Sequence, residues 1–379
     1  MSSNHVAGVN TEMTGESKAE APVEEIVDKV TKPEPVKVET PKKEVKLEAP
    51  PKGLSRHAGL DIGTMNIIAT REKDGKVSTK RIRDVFIDLT SEQVKMLKLS
   101  GDTSFVEKDN TFYILGDDAA NIANIFGRKL RAPLNKGVIS AGEIEAMEIL
   151  KIMVGEVLGK APENGVCYVS SPGDPIDNDF DALYHQAVVT DIVESYGWKT
   201  FTASESTAMA YSECADTMFT GLCLSFGHGM TNSSLTFKTI ETLKFSVARG
   251  GSWIDEQSAR VTGKTASQMC AIKEKGLDLL NPQGREQQAL VIYYKHLIKY
   301  VIHNFIQKFR EISSNIALPD EIPCVIAGGT SMPKGFVDLV KQAINQENNF
   351  PFPISEVRHA KDPLNSISRG LLIMAQNQD

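Results

Sequence analysis

The sequence is short of several things, and each shortage removes a class of protein. No apolar run approaches the ~18 residues that a membrane-spanning helix needs. Basic residues are outnumbered, 42 Lys and Arg against 49 Asp and Glu, for a formal net charge of −7. A broad nucleic-acid footprint needs a basic face, so no nucleic-acid partner is expected. The five cysteines, Cys167, Cys214, Cys223, Cys270 and Cys324, are an odd number set far apart. No pair has metal-ligand spacing, which reads as reduced core thiols in a cytoplasmic protein. The opening MSSNHVAGVNTEMTGES has no basic region followed by an apolar one, so it does not read as a secretory signal. No amphipathic membrane helix is seen there either, so no direct membrane anchor is expected.

What remains is the composition of an ordinary globular protein, 41% hydrophobic and 24% charged over 379 residues. That length allows two core-forming domains. Residues 1–54 stand apart. The stretch EAPVEEIVDKVTKPEPVKVETPKKEVKLEAPPK mixes Glu, Lys, Pro and Val with no aromatic residue. It buries too little apolar surface to offset its ordering entropy and is expected to be a disordered, extended arm. It reads as a passive spacer, or as a partner-docking arm in which VKVE or VKLE adds a strand to a sheet edge.

Past Arg56 the pattern becomes that of alternating strands and helices. HAGLDI reads as a buried strand, GTMN as a turn, and IIATREKDGKVSTKRIR as a hairpin about Asp74-Gly75. EIEAMEILKIMVGEVLG has helical periodicity, with Ile144, Met147, Leu150 or Lys151, Val154 and Leu158 expected on one side. VCYVSS, TFTA and the helices after them complete a first half. Then the pattern restarts: GLDIGTMNIIAT in the first half is matched by LCLSFGHGMTNSSLTF in the second. Each is an apolar strand, a glycine turn and another strand. Such a weak internal duplication predicts two like domains facing across a cleft, where ligands bind.

Three glycine loops carry the chemistry. In GLDIGTMN the turn amides around Gly63, with Met65 and Asn66, and the Thr64 hydroxyl can donate to phosphate oxygens. Asp61 can hold water around a magnesium ion, which prefers carboxylate and water. In LSFGHGMT, Gly227 and Gly229 allow close backbone approach, with His228 between them. In VIAGGTSMPKGF, Gly328 and Gly329, followed by Thr330 and Met332, let backbone lie flat against a ring or ribose. Each loop alone also reads as an ordinary hairpin or strand–helix connection.

Taken in this order and at these separations, the three loops resemble the actin-like ATPase superfamily, the fold shared by actin, chaperone ATPases and sugar kinases. The likeness runs from about Gly59 to Ala375 and points within it to the bacterial actin homologues MreB and MamK. GLDIGTMN is similar to the first phosphate motif of MreB, and RAPLNKGVIS and DPLNSISRG resemble two further MreB segments. YILGDDAANI resembles MamK. SESTAMAYS resembles the segment that carries the hydrolytic glutamate, which implies that role for Glu205. IKEKG resembles actin's adenine-contacting segment, implicating Lys273 and Glu274, and AGGTSMPKG resembles its adenosine motif.

The resemblance implies an α/β chain with the actin-like ATPase fold: two duplicated α/β domains around a nucleotide cleft, each with an inserted smaller subdomain. Domain I is expected over 56–217, with its small subdomain at about 80–130 and the C-terminal helix 362–376 returning to it. Domain II is expected over 218–361, with a small subdomain at about 252–312. The implied function is a prokaryotic actin-like cytoskeletal protein that binds ATP with Mg2+ and polymerises with itself. The alternative is a non-polymerising nucleotide-binding adaptor or regulator of the same fold. One departure bears on hydrolysis. The family places an aspartate where this chain has Ser225, which predicts retained binding and slow or impaired ATP hydrolysis. His228, if protonated, would compensate in part; otherwise it is a solvated loop residue. His296 and His303, in a long helical stripe, read as surface or core residues.

Overall fold

The computed structural model describes residues 53–98, 105–108, 111–123, 125–173, 175–179, 182–312 and 321–378. The expected arm therefore lies almost wholly outside the described residues. So does 313–316, the end of the expected long helix.

The strands are β1 (Leu54–Ile62), β2 (Asn66–Lys73), β3 (Lys76–Arg83), β4 (Phe86–Leu89), β5 (Val106–Lys108), β6 (Thr111–Leu115), β7 (Leu134–Asn135), β8 (Val138–Ile139), β9 (Val166–Ser171), β10 (Lys199–Ser204), β11 (Gly221–Phe226), β12 (Thr231–Phe237), β13 (Ile240–Val247), β14 (Ile322–Ala327) and β15 (Ile354–His359). The helices are α1 (Ser91–Lys98), α2 (Gly116–Ala123), α3 (Ala146–Leu158), α4 (Ala182–Glu194), α5 (Glu205–Glu213), α6 (Gly251–Thr262), α7 (Ala266–Glu274), α8 (Gly284–Ile312), α9 (Phe336–Gln346) and α10 (Ser366–Gln376).

Two five-stranded sheets repeat one topology. The first has the order β10-β9-β1-β2-β3 and the second β15-β14-β11-β12-β13. In each, the leading strand pairs antiparallel with the next and parallel with a strand from much later in its half. The last six residues of β1 and all six of β11 are buried, as central strands covered on both faces are. β3 is an edge strand, and its basic KVSTKRIR is mostly exposed. Asp74 and Gly75 both take positive φ, 50° and 74°, the geometry of a two-residue hairpin turn.

The helices follow from the sheets. α3 and α4 pack with the first sheet in one apolar core, and α8 and α9 with the second in another. α5 and α10 lie between the sheets, where Ala208, Met209, Ile367 and Leu371 share a core with Cys223 and Val325. The approach there is backbone to backbone. A Cβ on Gly370 would stand 1.7 Å from the Ala208 carbonyl oxygen, and one on Gly59 2.1 Å from that of Ser368. A three-stranded sheet, β4-β6-β5, carries α1 and α2 on its own small core.

Two local expectations are corrected. α3 begins at Ala146, and its buried face is Ile149, Leu150, Met153, Val154, Val157 and Leu158. Ile144 lies before the helix and is 99% exposed, and Met147 is exposed as well. Helical spacing alone could not separate the two apolar stripes; packing on the first sheet chose one. PKGFVDLVKQAI reads from its sequence as a helix with Pro333 near the first turn, but α9 begins at Phe336 and Pro333 belongs to the turn before it. His296 and His303 are both exposed on α8.

Candidate functional site

The duplicated strands end in matching loops. Between β1 and β2, Ile62 faces Ile67, and the Gly63 amide donates to the Asn66 carbonyl at 3.0 Å. Between β11 and β12, Phe226 faces Thr231, and the Gly227 amide donates to the Met230 carbonyl at 2.9 Å. These are two four-residue loops closed by the same hydrogen bond. The third loop follows β14, the parallel neighbour of β11, so the second and third loops leave the same end of adjoining strands, while the first leaves the other sheet.

The loops are tied to one another. Thr330 Oγ1 donates to the Gly227 carbonyl at 2.7 Å, joining the third loop to the second. Gly229 lies against the first loop: a Cβ there would stand 2.4 Å from Thr64 Oγ1 and 2.9 Å from the Gly137 nitrogen. Gly137, at the tip of the β7–β8 hairpin, donates its amide to Thr64 Oγ1 at 2.8 Å. Gly328 has φ 90°, and a Cβ on it would reach within 2.3 Å of the Phe226 carbonyl oxygen. Only glycine meets both demands.

These loops line a cavity of about 720 Å³, within the size range of small-molecule sites. The structure places every candidate residue on its wall. Asp61, Gly63, Thr64, Met65 and Asn66 come from the first loop and the end of β1. Ser225, Gly227, His228 and Gly229 come from the second, and Gly328, Gly329, Thr330 and Met332 from the third. Glu205 enters from the start of α5, and Lys273 and Glu274 from the end of α7. Sequence reasoning did not single out Gly137, Cys270, Leu277 or Leu364, which also line it. Gly137 and Leu364 lie in the quoted segments RAPLNKGVIS and DPLNSISRG, so a signal was present for both.

Two acids meet at the end of the cavity formed by the first two loops. Burial pushes the Asp61 carboxyl above its ordinary value, eased by a hydrogen bond with Ser170. Burial likewise raises Glu205, and the Asp61 charge raises it further, while Ser225 and Asn232 ease it. Ser225 is 1% exposed, and its hydroxyl donates to Glu205 Oε2 at 3.2 Å. The residue standing in place of an acid thus engages the neighbouring acid. Among the described residues the buried Asp61 Oδ1 has no hydrogen-bond partner. A magnesium ion with its waters is chemistry that would satisfy such an oxygen. No group of three or more His, Cys, Asp or Glu that could hold a metal ion occurs among the described residues. That donor set fits an ion held by one carboxylate, water and ligand phosphates rather than by a protein cage.

Two residues behave differently from expectation. His228 is half-buried and its pKa is pushed down to about 4, by burial first and then by the charges of Lys273 and Arg83. It is neutral at neutral pH and neither compensates as a cation nor sits as a freely solvated loop residue. Lys273 Nζ pairs with Asp255 Oδ2 at 2.7 Å and donates to the Gly251 carbonyl at 3.3 Å. Both side chains of that pair are nearly buried. The ammonium is directed to α6, which leaves the Lys273 stem to face the cavity.

The Volactin family profile matches residues 56–375. No curated protein matches the chain by sequence. Among solved structures, the MamK double helical filament superposes with a TM-score of 0.61 at 16% identity, covering 84% of this chain and 98% of that one. MreB 5 of Spiroplasma citri bound to AMPPNP superposes with a TM-score of 0.60 at 15% identity, covering 84% and 96%. The ADP-bound form of that MreB gives 0.56 at 14% identity, covering 84% and 96%. The fold is the actin-like ATPase fold.

Proposed function

We propose that this chain, which belongs to the Volactin family, is an actin-like cytoskeletal protein that binds Mg2+-ATP in the three-loop cavity and polymerises into filaments. The observation that carries the reading is the convergence of the three glycine loops, cross-linked by Thr64, Gly229 and Thr330, on one cavity containing Asp61 and Glu205. The similarity to a MamK filament and to nucleotide-bound MreB supports it through the fold alone.

In this reading the loop amides and the Thr64 hydroxyl hold phosphate oxygens. Asp61 would hold the magnesium ion, which would supply positive charge beside the phosphates. Glu205 orients or deprotonates the attacking water. Burial and the Asp61 charge raise its pKa to about 8, so it is largely protonated without a cation, and a cation beside the phosphates would lower that pKa toward the ionised form that a general base needs. Ser225 contributes a hydroxyl where a second acid would organise the site, so hydrolysis is slow. Hydrolysis shifts the two halves relative to each other and loosens contacts between subunits. Leu277, Met332 and Leu364 offer apolar wall for a base, and the third loop approaches the ribose.

The test is light scattering and sedimentation of the purified protein after adding Mg2+ and ATP. A nucleotide-dependent rise is expected, followed by a plateau or slow decay. Nucleotide binding without any rise would replace this reading with the non-polymerising adaptor.

A further inference from the structure

We infer that Glu241 is a positioning residue for Glu205, an inference that rests on the reading of Glu205 as the group that orients the attacking water. Glu241 stands near the start of β13, opposite Thr236 of β12. Residues two apart on a strand share a face, so Thr236 lies on the side of β12 that carries Asn232, the register partner of Ser225. α5 packs against β11 and β12. From there the Glu241 carboxylate accepts hydrogen bonds from the hydroxyls of Ser204 and Thr207. Lys244 Nζ holds its other oxygen at 3.1 Å.

Ser204 is the N-cap of α5, its oxygen accepting from the Thr207 amide at 3.2 Å. Glu205 is the first residue of that helix. A carboxylate beside a helix N-terminus is further favoured by the helix dipole. The second sheet therefore grips two consecutive residues: Ser204 through Glu241, and Glu205 through Ser225 at 3.2 Å. Without Glu241 the first turn of α5 would keep its backbone cap but lose its anchor to β13. The Glu205 carboxyl would then shift with that turn. A displacement of about 1 Å in an orienting group costs up to about 100-fold in rate.

The experiment is single-turnover and steady-state ATP hydrolysis by the full chain and by Glu241→Ala, Glu241→Gln and Glu205→Gln, with Mg2+-ATP affinity measured alongside. Glu241→Ala should lower kcat about ten- to hundredfold while KM and affinity stay within about twofold. Glu241→Gln should retain most of the rate, since its amide oxygen still accepts from both hydroxyls. A merely structural role would move affinity and melting temperature together with kcat. Should Glu241→Ala fail to fold, Thr207→Val removes one of the two hydroxyls at similar volume and should lower kcat severalfold. Unchanged kcat in the folded Glu241 or Thr207 variant, with hydrolysis lost in Glu205→Gln, overturns the inference and leaves the role of Glu205 standing. Full hydrolysis by Glu205→Gln, or none by the unaltered protein, overturns that role and the inference with it.

Discussion

Replacing Ser225 with aspartate supplies the acid that the second loop lacks if it holds phosphate as proposed, and the structure sets the cost. The Ser225 hydroxyl is buried 3.2 Å from Glu205 Oε2. A carboxylate there would lie roughly 4 Å from that of Glu205, and were both ionised, two unit charges at that distance would repel by about 4 kcal/mol at an effective dielectric near 20. Burial and Asp61 already raise Glu205. Without a cation, the added acid therefore stays protonated in the folded protein. Holding an aspartate protonated at pH 7 against an unfolded pKa of ~3.9 also costs about 4 kcal/mol. Both routes give the same ceiling. The sign follows from a folded pKa raised above the unfolded one: the penalty is absent below about pH 4 and grows as pH rises toward neutral. A loss of about 4 kcal/mol lowers the melting temperature by roughly 10 °C. Mg2+-ATP supplies the missing cation, so it should raise the melting temperature more in Ser225→Asp than in wild type. Turnover should rise, because one organised electrostatic group is worth about 10²–10³ in rate. The assays are thermal unfolding at pH 5 and 7.5, with and without Mg2+-ATP, and phosphate release. A nucleotide-free variant as stable as wild type at pH 7.5 would refute the desolvated Ser225–Glu205 contact. Unchanged turnover would refute the account of slow hydrolysis.

Further outcomes follow from other contacts. Asp61→Asn should weaken Mg2+-dependent nucleotide binding by about 3 kcal/mol, roughly 100-fold, yet raise the stability of the nucleotide-free protein. The gain comes from removing a buried carboxylate whose Oδ1 has no hydrogen-bond partner among the described residues, and titration calorimetry with thermal unfolding checks both. Lys273→Met leaves Asp255 buried and unpaired and should cost about 3–5 kcal/mol by urea denaturation; adding Asp255→Leu should recover most of it. His228→Gln should flatten the acid limb of the stability curve. The His228 pKa of about 4 lies below its unfolded value, so the native protein loses stability as pH falls from about 6.5 through 4. Urea midpoints across that range should show the wild type falling by up to about 3 kcal/mol more than the variant.

Much of this protein was legible along the chain, and the reason is locality. A turn at Asp74-Gly75 needs positive φ at consecutive positions, and that demand is met by those residues whatever surrounds them. The glycine loops are local in the same sense and so could be read along the chain, while their meeting on one cavity wall was decided by how the two sheets pack. The alternating strand and helix pattern, restarting at Gly221, likewise foreshadowed two sheets of one topology.

What the sequence could not decide are contacts made between distant segments. Ser225 and Glu205 are twenty residues apart, and their hydrogen bond exists because α5 packs between the two sheets. The turning of Lys273 toward Asp255 depends on α6 lying beside α7. The neutral state of His228 depends on burial and on Lys273 and Arg83 arriving from other elements. The buried face of α3 was set by the first sheet, not by its spacing. Glu241 lies in a strand with no motif of its own, and only the register of β12 with β13 brings it to the start of α5. The sequence by itself determined where the tight glycine turns form. The tertiary structure decided which charges face them, because desolvation and Coulomb terms depend on through-space distance rather than on position in the chain.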